Sequence, residues 1–141
     1  MDSANPEPIS ESAVADFLFH FKFTAQSSCG YTFWEREKNM QTLAELNLSI
    51  EDALEVIYQL TPRDYCSGPE PDRDYRNQRV WKFGCNIDGQ EIYVKLADDY
   101  RHKAKIISFH KAERPIQYPF RREEIESHVS DNLREDADEK E

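Results

Sequence analysis

Lys82, Tyr93, Lys95 and His110 are the residues whose types could do chemistry together, and strand phase places them on one side of a sheet. Lysine sets a point charge beside a phosphate. Tyrosine donates a hydrogen bond or stacks on a base. Histidine gives or takes a proton near neutrality. Ser108 shares their phase, and Lys111 and Arg114 follow at the end of the same segment. Such a set can cleave RNA without a metal. The 2′-hydroxyl attacks the neighbouring phosphate in line, and the lysines stabilise the charge that builds on its oxygens. His110 acts as acid or base toward the leaving 5′-oxygen. Lys82, Tyr93 and His110 are therefore the catalytic candidates, and Lys95, Lys111, Arg114, Arg79 and His102 the candidates to hold RNA. The competing reading is an ordinary solvated face, because antiparallel sheets commonly expose one side.

The elements that must position these groups follow from pattern. Asp88-Gly89 separates two β-rich runs, residues 80–87 and 90–96. Asp-Gly in that setting signals a type I′ hairpin, since both turn residues need positive φ. A loop at 97–102 leads to a third strand, residues 104–111, so residues 81–111 are expected to form a three-stranded antiparallel sheet. Side chains alternate along a strand with period two. Trp81, Phe83, Ile92, Val94, Leu96, Ile107 and Phe109 then form an apolar face. Val80, Lys82, Gly84, Tyr93, Lys95, Ile106, Ser108 and His110 fall opposite.

The apolar face needs a cover, and the upstream chain supplies amphipathic helices. Val14, Phe17, Leu18 and Phe21 follow the i, i+3, i+4, i+7 spacing behind a cap at Ser10 or Ser12. That helix ends near residues 26–28, and Gly30 breaks it. Residues 31–34 are rich in β-formers and suit a short strand. A second helix spans 38–46 with Asn47 as its C-cap, and a third starts at Ser49 with Asp52 completing a capping box. Pro62 stops the third helix, and residues 61–79, with Pro62, Gly68, Pro69 and Pro71, read as a loop. The fold class expected is α+β, with N-terminal amphipathic helices on one face of a small antiparallel sheet.

Composition bounds the rest. The chain of 141 residues suits one domain, expected over residues 10–120 between a disordered tail at 1–9 and an acidic tail at 121–141. The net charge of −10 is unevenly spread. Residues 1–60 carry 3 basic and 10 acidic groups, residues 61–122 carry 13 and 9, and residues 123–141 carry 2 and 9. A basic middle thus sits between acidic ends, and a polyanion responds to charge within a Debye length of ~8–10 Å rather than to the total. Residues 123–141 are expected to solubilise, or alternatively to compete with RNA for the basic segment. Cys29, Cys66 and Cys85 are odd in number and widely spaced, which fits reduced thiols rather than a zinc or redox pair. No metal and no cofactor is expected, since P-loop, GxGxxG and HExxH motifs are lacking. The acidic N-terminus resembles no signal peptide and no apolar run spans a membrane, so a cytoplasmic protein is expected.

The run at residues 36–65 resembles the MqsR family of motility quorum-sensing regulator toxins. In it two helices flank a short break and lead to Leu60-Thr61-Pro62-Arg63-Asp64-Tyr65. Trp81, Gln90-Glu91-Ile92-Tyr93-Val94-Lys95-Leu96 and Ile106-Ile107-Ser108-Phe109-His110 are similar to that family's following Trp and strands. The similarity covers about residues 12–111. It implies a RelE-like α+β fold, metal-independent cleavage of mRNA in a type II toxin–antitoxin system, and neutralisation by a cognate antitoxin. By position, the family's active-site tyrosine falls on Tyr93, the lysine of its last strand on His110, and its glutamine after the Trp on Lys82. Its loop lysine falls near Ser67-Gly68, where this chain has none. The alternative is a non-catalytic relative that binds RNA or a protein partner.

Overall fold

The computed structural model describes residues 8–73, 75, 78–98 and 103–121. The expected tails therefore fall largely outside the described residues, as does His102. Three helices pack against a five-stranded, mostly antiparallel sheet, so the α+β architecture holds. The elements run α1 (Glu11–Gln26), β1 (Tyr31–Phe33), α2 (Glu37–Leu46), α3 (Ile50–Tyr58), β2 (Tyr65–Pro71), β3 (Arg79–Ile87), β4 (Gln90–Asp98) and β5 (Ala104–Lys111). Two 3₁₀ turns, Pro62–Asp64 and Pro119–Arg121, complete the set. No helix among the described residues is long and apolar enough to cross a membrane.

The helix boundaries follow local chemistry. The Ser10 side chain accepts from the Ala13 amide at 3.0 Å and starts α1. Asn47 ends α2 at φ 59°, a left-handed position that asparagine tolerates. Ser49 and Asp52 cap α3 reciprocally, at 2.9 and 3.0 Å. The buried stripes of α1 and α3, among them Val14, Phe21 and Ile57, meet Phe83, Ile92, Val94, Leu96, Ile106 and Phe109 in one core. Each fully buried side chain of this size contributes ~1.5–3 kcal/mol. Trp81 joins from the same side of the sheet and stacks on Phe17, 4.4 Å between centroids.

The sheet order is β1-β5-β4-β3-β2, with β1 parallel to β5 and the other pairs antiparallel. The hairpin turns at Asp88 and Gly89, φ 52° and 82°, as the sequence predicts. Three strands were expected; β1 and β2 extend the sheet on either side. Residues 65–71, read from sequence as loop, form β2, an irregular edge strand with register shifts on both sides of Ser67. Gly68 makes that pairing possible, because at φ 110° a Cβ there would sit 2.7 Å from the Val80 carbonyl oxygen.

A second correction concerns β5. A bulge between the Lys95 and Leu96 partners lets Ser108 face Lys95 and Ile106 face Leu96, with Ile107 extra. Strict alternation therefore fails there: Ile106 lies in the helix-side core and Ile107 turns to the other side, with Val80 and Ala97. The bulge is braced by α2. Asn39, fully buried, donates to the Trp34 carbonyl at 2.8 Å and the Ile107 carbonyl at 3.0 Å. Its side-chain oxygen accepts from the Phe109 amide at 2.9 Å. One helical turn on, Thr42 Oγ1 accepts from the Lys111 amide at 3.1 Å. Where β1 stops, side chains of α2 take over as hydrogen-bonding partners of β5.

Candidate functional site

The sheet face away from the helices carries two rows of side chains set by register. Gly84, Tyr93 and His110 are directly paired across β3, β4 and β5. Lys82, Lys95 and Ser108 form the adjacent row. Tyr93 and His110 lie 5.4 Å apart between ring centroids. Ser67 of β2 extends the second row beside Lys82.

The segment after β5 crosses this face rather than leaving it. The Tyr118 hydroxyl donates to Glu91 at 2.8 Å, and the Ile116 amide donates to the same carboxylate at 3.2 Å. Both side chains rest on Gly84, where a Cβ would meet Tyr118 Oη at 2.4 Å and Ile116 Cδ1 at 2.7 Å. The 3₁₀ turn that follows is tied down by Arg121, which donates to Asp64 at 2.7 Å and to the Arg63 carbonyl at 2.8 Å. Phe120 stacks on Tyr65, 5.3 Å between centroids. Thr61 and Asp64 also cap their own turn, so the Leu60–Tyr65 run has a structural job here: it anchors the wall of a cleft.

That cleft, about 520 Å³, is lined by Lys82, Tyr93, Lys95, Ser108, His110 and Arg114, with Arg36, Lys38, Cys66 and Ser67 around them. The structure places Lys82, Tyr93, Lys95, His110 and Arg114, expected from sequence to act together, around one cleft. It does not place Lys111 there. That side chain emerges on the opposite side and pairs with Glu45 of α2 at 2.6 Å. Lys111 is opposite Ile92, one residue beyond the His110–Tyr93 pair, so alternation itself turns it toward the helices. Arg79 is exposed at the start of β3, in phase with Trp81 and Phe83, and lines no part of the cleft.

Arg36 is the residue that sequence reasoning missed. It is the N-cap position of α2, yet it makes no capping bond. Its guanidinium instead reaches over β5 to Ser108 Oγ at 3.3 Å and the Ile107 carbonyl at 3.5 Å. Only the parallel pairing of β1 with β5 brings it there, and nothing local in the chain announces that pairing.

Cationic side chains predominate around the cleft: Arg36, Lys38, Lys82, Lys95 and Arg114 line it together with Glu113. Lys82 and Lys95 stand directly opposite one another, and like charges so placed repel. Burial, reinforced by Lys82 and Arg36, lowers the Lys95 pKa; Asp72 and Glu70 pull weakly the other way. Glu70 binds Lys82 at 3.2 Å and offsets part of the excess charge. Burial also pushes the Tyr93 phenol up to about 12, with Cys66 and Glu70 acting in the same direction. Tyr93 is therefore a hydrogen-bond donor at neutral pH and not a base. His110 is nearly buried, and its Nδ1 lies 3.0 Å from the Lys111 carbonyl oxygen. That contact fixes the ring beside Tyr93.

In comparisons with known proteins, no family model, no curated protein and no solved structure matches the chain.

Proposed function

We propose that this cleft binds RNA and cleaves it without a metal, as a toxin of the MqsR and RelE-like kind held in check by a cognate antitoxin. The observation that carries the reading is the pair of adjacent rows, Tyr93–His110 and Lys82–Lys95–Ser108, with Arg36 above the second. In this mechanism the scissile phosphate sits over the lysine row, where Lys82, Arg36 and the Tyr93 hydroxyl take its non-bridging oxygens. Lys95, whose ammonium gives up its proton more readily than an exposed lysine's, accepts the 2′-proton through its neutral fraction. The 2′-oxygen bonds to phosphorus, the bond to the 5′-oxygen breaks, and His110 protonates that leaving oxygen. The products are a 2′,3′-cyclic phosphate and a free 5′-hydroxyl.

The deciding experiment incubates purified protein with single-stranded and structured RNA in the presence of chelator. Fragments bearing those ends are expected, and His110→Ala combined with Tyr93→Phe removes them. Intact RNA under these conditions counts against cleavage.

A second reading is a non-catalytic protein that binds RNA or a protein partner through the same face. The near-burial of His110 and the Glu70–Lys82 ion pair favour it. Salt-sensitive RNA retention on filters, without fragments, selects RNA binding alone.

A further inference from the structure

Beyond the cleft that holds Tyr93 and His110, a second one of about 620 Å³ opens on the same face. The two share Arg36, Lys82 and Lys95, so the cations form a ridge between them. The second cleft differs in its floor and wall, and its rim also carries Glu70, paired with Lys82, and Asp72, which accepts from Gln78. Trp34 packs on Val80, Ala97 and Ile107, a small apolar cluster separate from the main core. It exists because the β5 bulge turns Ile107 outward. The half-buried indole lines the cleft, and Tyr75, 48% exposed, meets it edge-on with centroids 6.2 Å apart. The Lys105 ammonium lies 4.7 Å from the Tyr75 ring centre and 5.9 Å from that of Trp34, held by Gln78 at 2.9 Å.

An aromatic surface over an apolar floor, one step from a cationic ridge, is the arrangement that takes a flat base attached to a phosphate. We propose that this second cleft is a nucleobase-stacking subsite: Trp34 receives the base of a nucleotide whose phosphate lies on the Arg36–Lys82–Lys95 ridge. This rests on reading the face as RNA-binding, and it adds the direction in which the strand runs: from the Tyr93–His110 cleft, over the ridge, toward Trp34. Stacking tolerates any base, because every base has a π-face, so the subsite selects single-stranded nucleotide chain over bare polyanion.

The test compares two probes on the full chain: a single-stranded oligoribonucleotide with 2′-O-methyl groups, which cannot be cleaved, and inorganic polyphosphate, which has no base. In a Trp81→Phe background Trp34 is the sole tryptophan, and its fluorescence should be quenched by the oligonucleotide and not by polyphosphate. Trp34→Leu, which retains apolar packing, and Tyr75→Leu, at an exposed position, should each weaken oligonucleotide binding, Trp34→Leu by about tenfold or more. Polyphosphate binding should be unchanged. Should Trp81→Phe not fold, the affinities of the other variants decide alone. Oligonucleotide affinity that survives Trp34→Leu, or an equal loss for both probes, overturns the subsite. A Lys82→Gln/Lys95→Gln double variant separates the two ideas. If it loses both probes while Trp34→Leu loses neither, the RNA face stands and only the stacking subsite falls. If it binds both probes as the parent protein does, the RNA face itself is wrong.

Discussion

Tyr93 and His110 are direct cross-strand partners, so their rings meet on one face without help from any loop. Groups positioned by a ladder are held more rigidly than groups on a loop, which is what in-line chemistry at phosphorus requires. If the pair acts in catalysis, His110→Ala should lower the cleavage rate by about 10²–10⁴-fold, the usual worth of a positioned acid. RNA affinity should hardly change. Single-turnover cleavage and filter binding on the same preparation measure the two separately.

Lys95 provides a sharper test, because its charge and its basicity can be parted. Arginine keeps the charge and cannot deprotonate. Lys95→Arg should therefore bind RNA and cleave it slowly, whereas Lys95→Met should lose both. In the parent protein the rate should rise with pH as the lowered Lys95 pKa is approached, and this rise should vanish in Lys95→Arg. A rising limb that persists in Lys95→Arg assigns the base elsewhere.

The raised pKa of Tyr93 makes a claim about stability that does not depend on catalysis. The unfolded phenol ionises near 10 and the folded one at about 12. Below pH 10 both states are protonated and the stabilisation is complete; it is lost as pH rises from 10 through 12. Cys85, raised by burial from 9 to about 12, adds a loss of the same sign. Tyr93→Phe should flatten the alkaline decline of the melting temperature, and Cys85→Ala should flatten its earlier part. Parallel pH profiles for Tyr93→Phe and the parent protein would refute the assignment.

Asn39 should matter more for stability than any surface residue of α2. Replacing it by alanine strands the Phe109 amide and the Trp34 carbonyl and leaves the Ile107 carbonyl with only its longer bond from Arg36. Each buried group left unpaired costs about 1–3 kcal/mol, and water entering the gap recovers part, so a net loss of roughly 2–4 kcal/mol is expected. Urea unfolding of Asn39→Ala gives the figure directly. Thr42→Ala, which strands one amide, should cost less.

Gly84→Val tests whether the wall of the cleft is a separable part. The new side chain occupies the place of the Tyr118 hydroxyl and the Ile116 methyl. Those are the far ends of flexible side chains, so the wall should lift while the core stays packed. The Ile116 amide, bonded to Glu91, should lose hydrogen-exchange protection, and Phe109 on β5 should keep its own.

The hairpin and the helices were legible because each rests on local chemistry: Asp88-Gly89 for the turn, Ser49 and Asp52 for the cap, alternation for β3 and β4. The site was legible to the same extent, since Lys82, Tyr93 and Lys95 lie on those two strands. What failed was non-local. The bulge that turns Ile107 outward is supported by Asn39, far away in sequence. Arg36 reaches the cleft through a parallel pairing between residues near 33 and 106. Residues 65–71 carry proline, glycine and mixed charge, which conceal a strand whose pairing is itself irregular. Lys111 was misplaced for a simpler reason: it was grouped with His110 by proximity, although one step along a strand reverses the face.

The way α2 seals β5 limits how another polypeptide can take hold. An incoming strand needs a row of open amides and carbonyls, yet beyond Trp34 the Ile107 carbonyl and the Phe109 and Lys111 amides of β5 are already engaged by Asn39 and Thr42. On the far flank, Pro69 and Pro71 offer no amide, and the ladder there is broken. The outer margin of β1 is three residues long. Any polypeptide docking on these margins would thus find little regular backbone to zip onto among the described residues, and its grip would come chiefly through side chains.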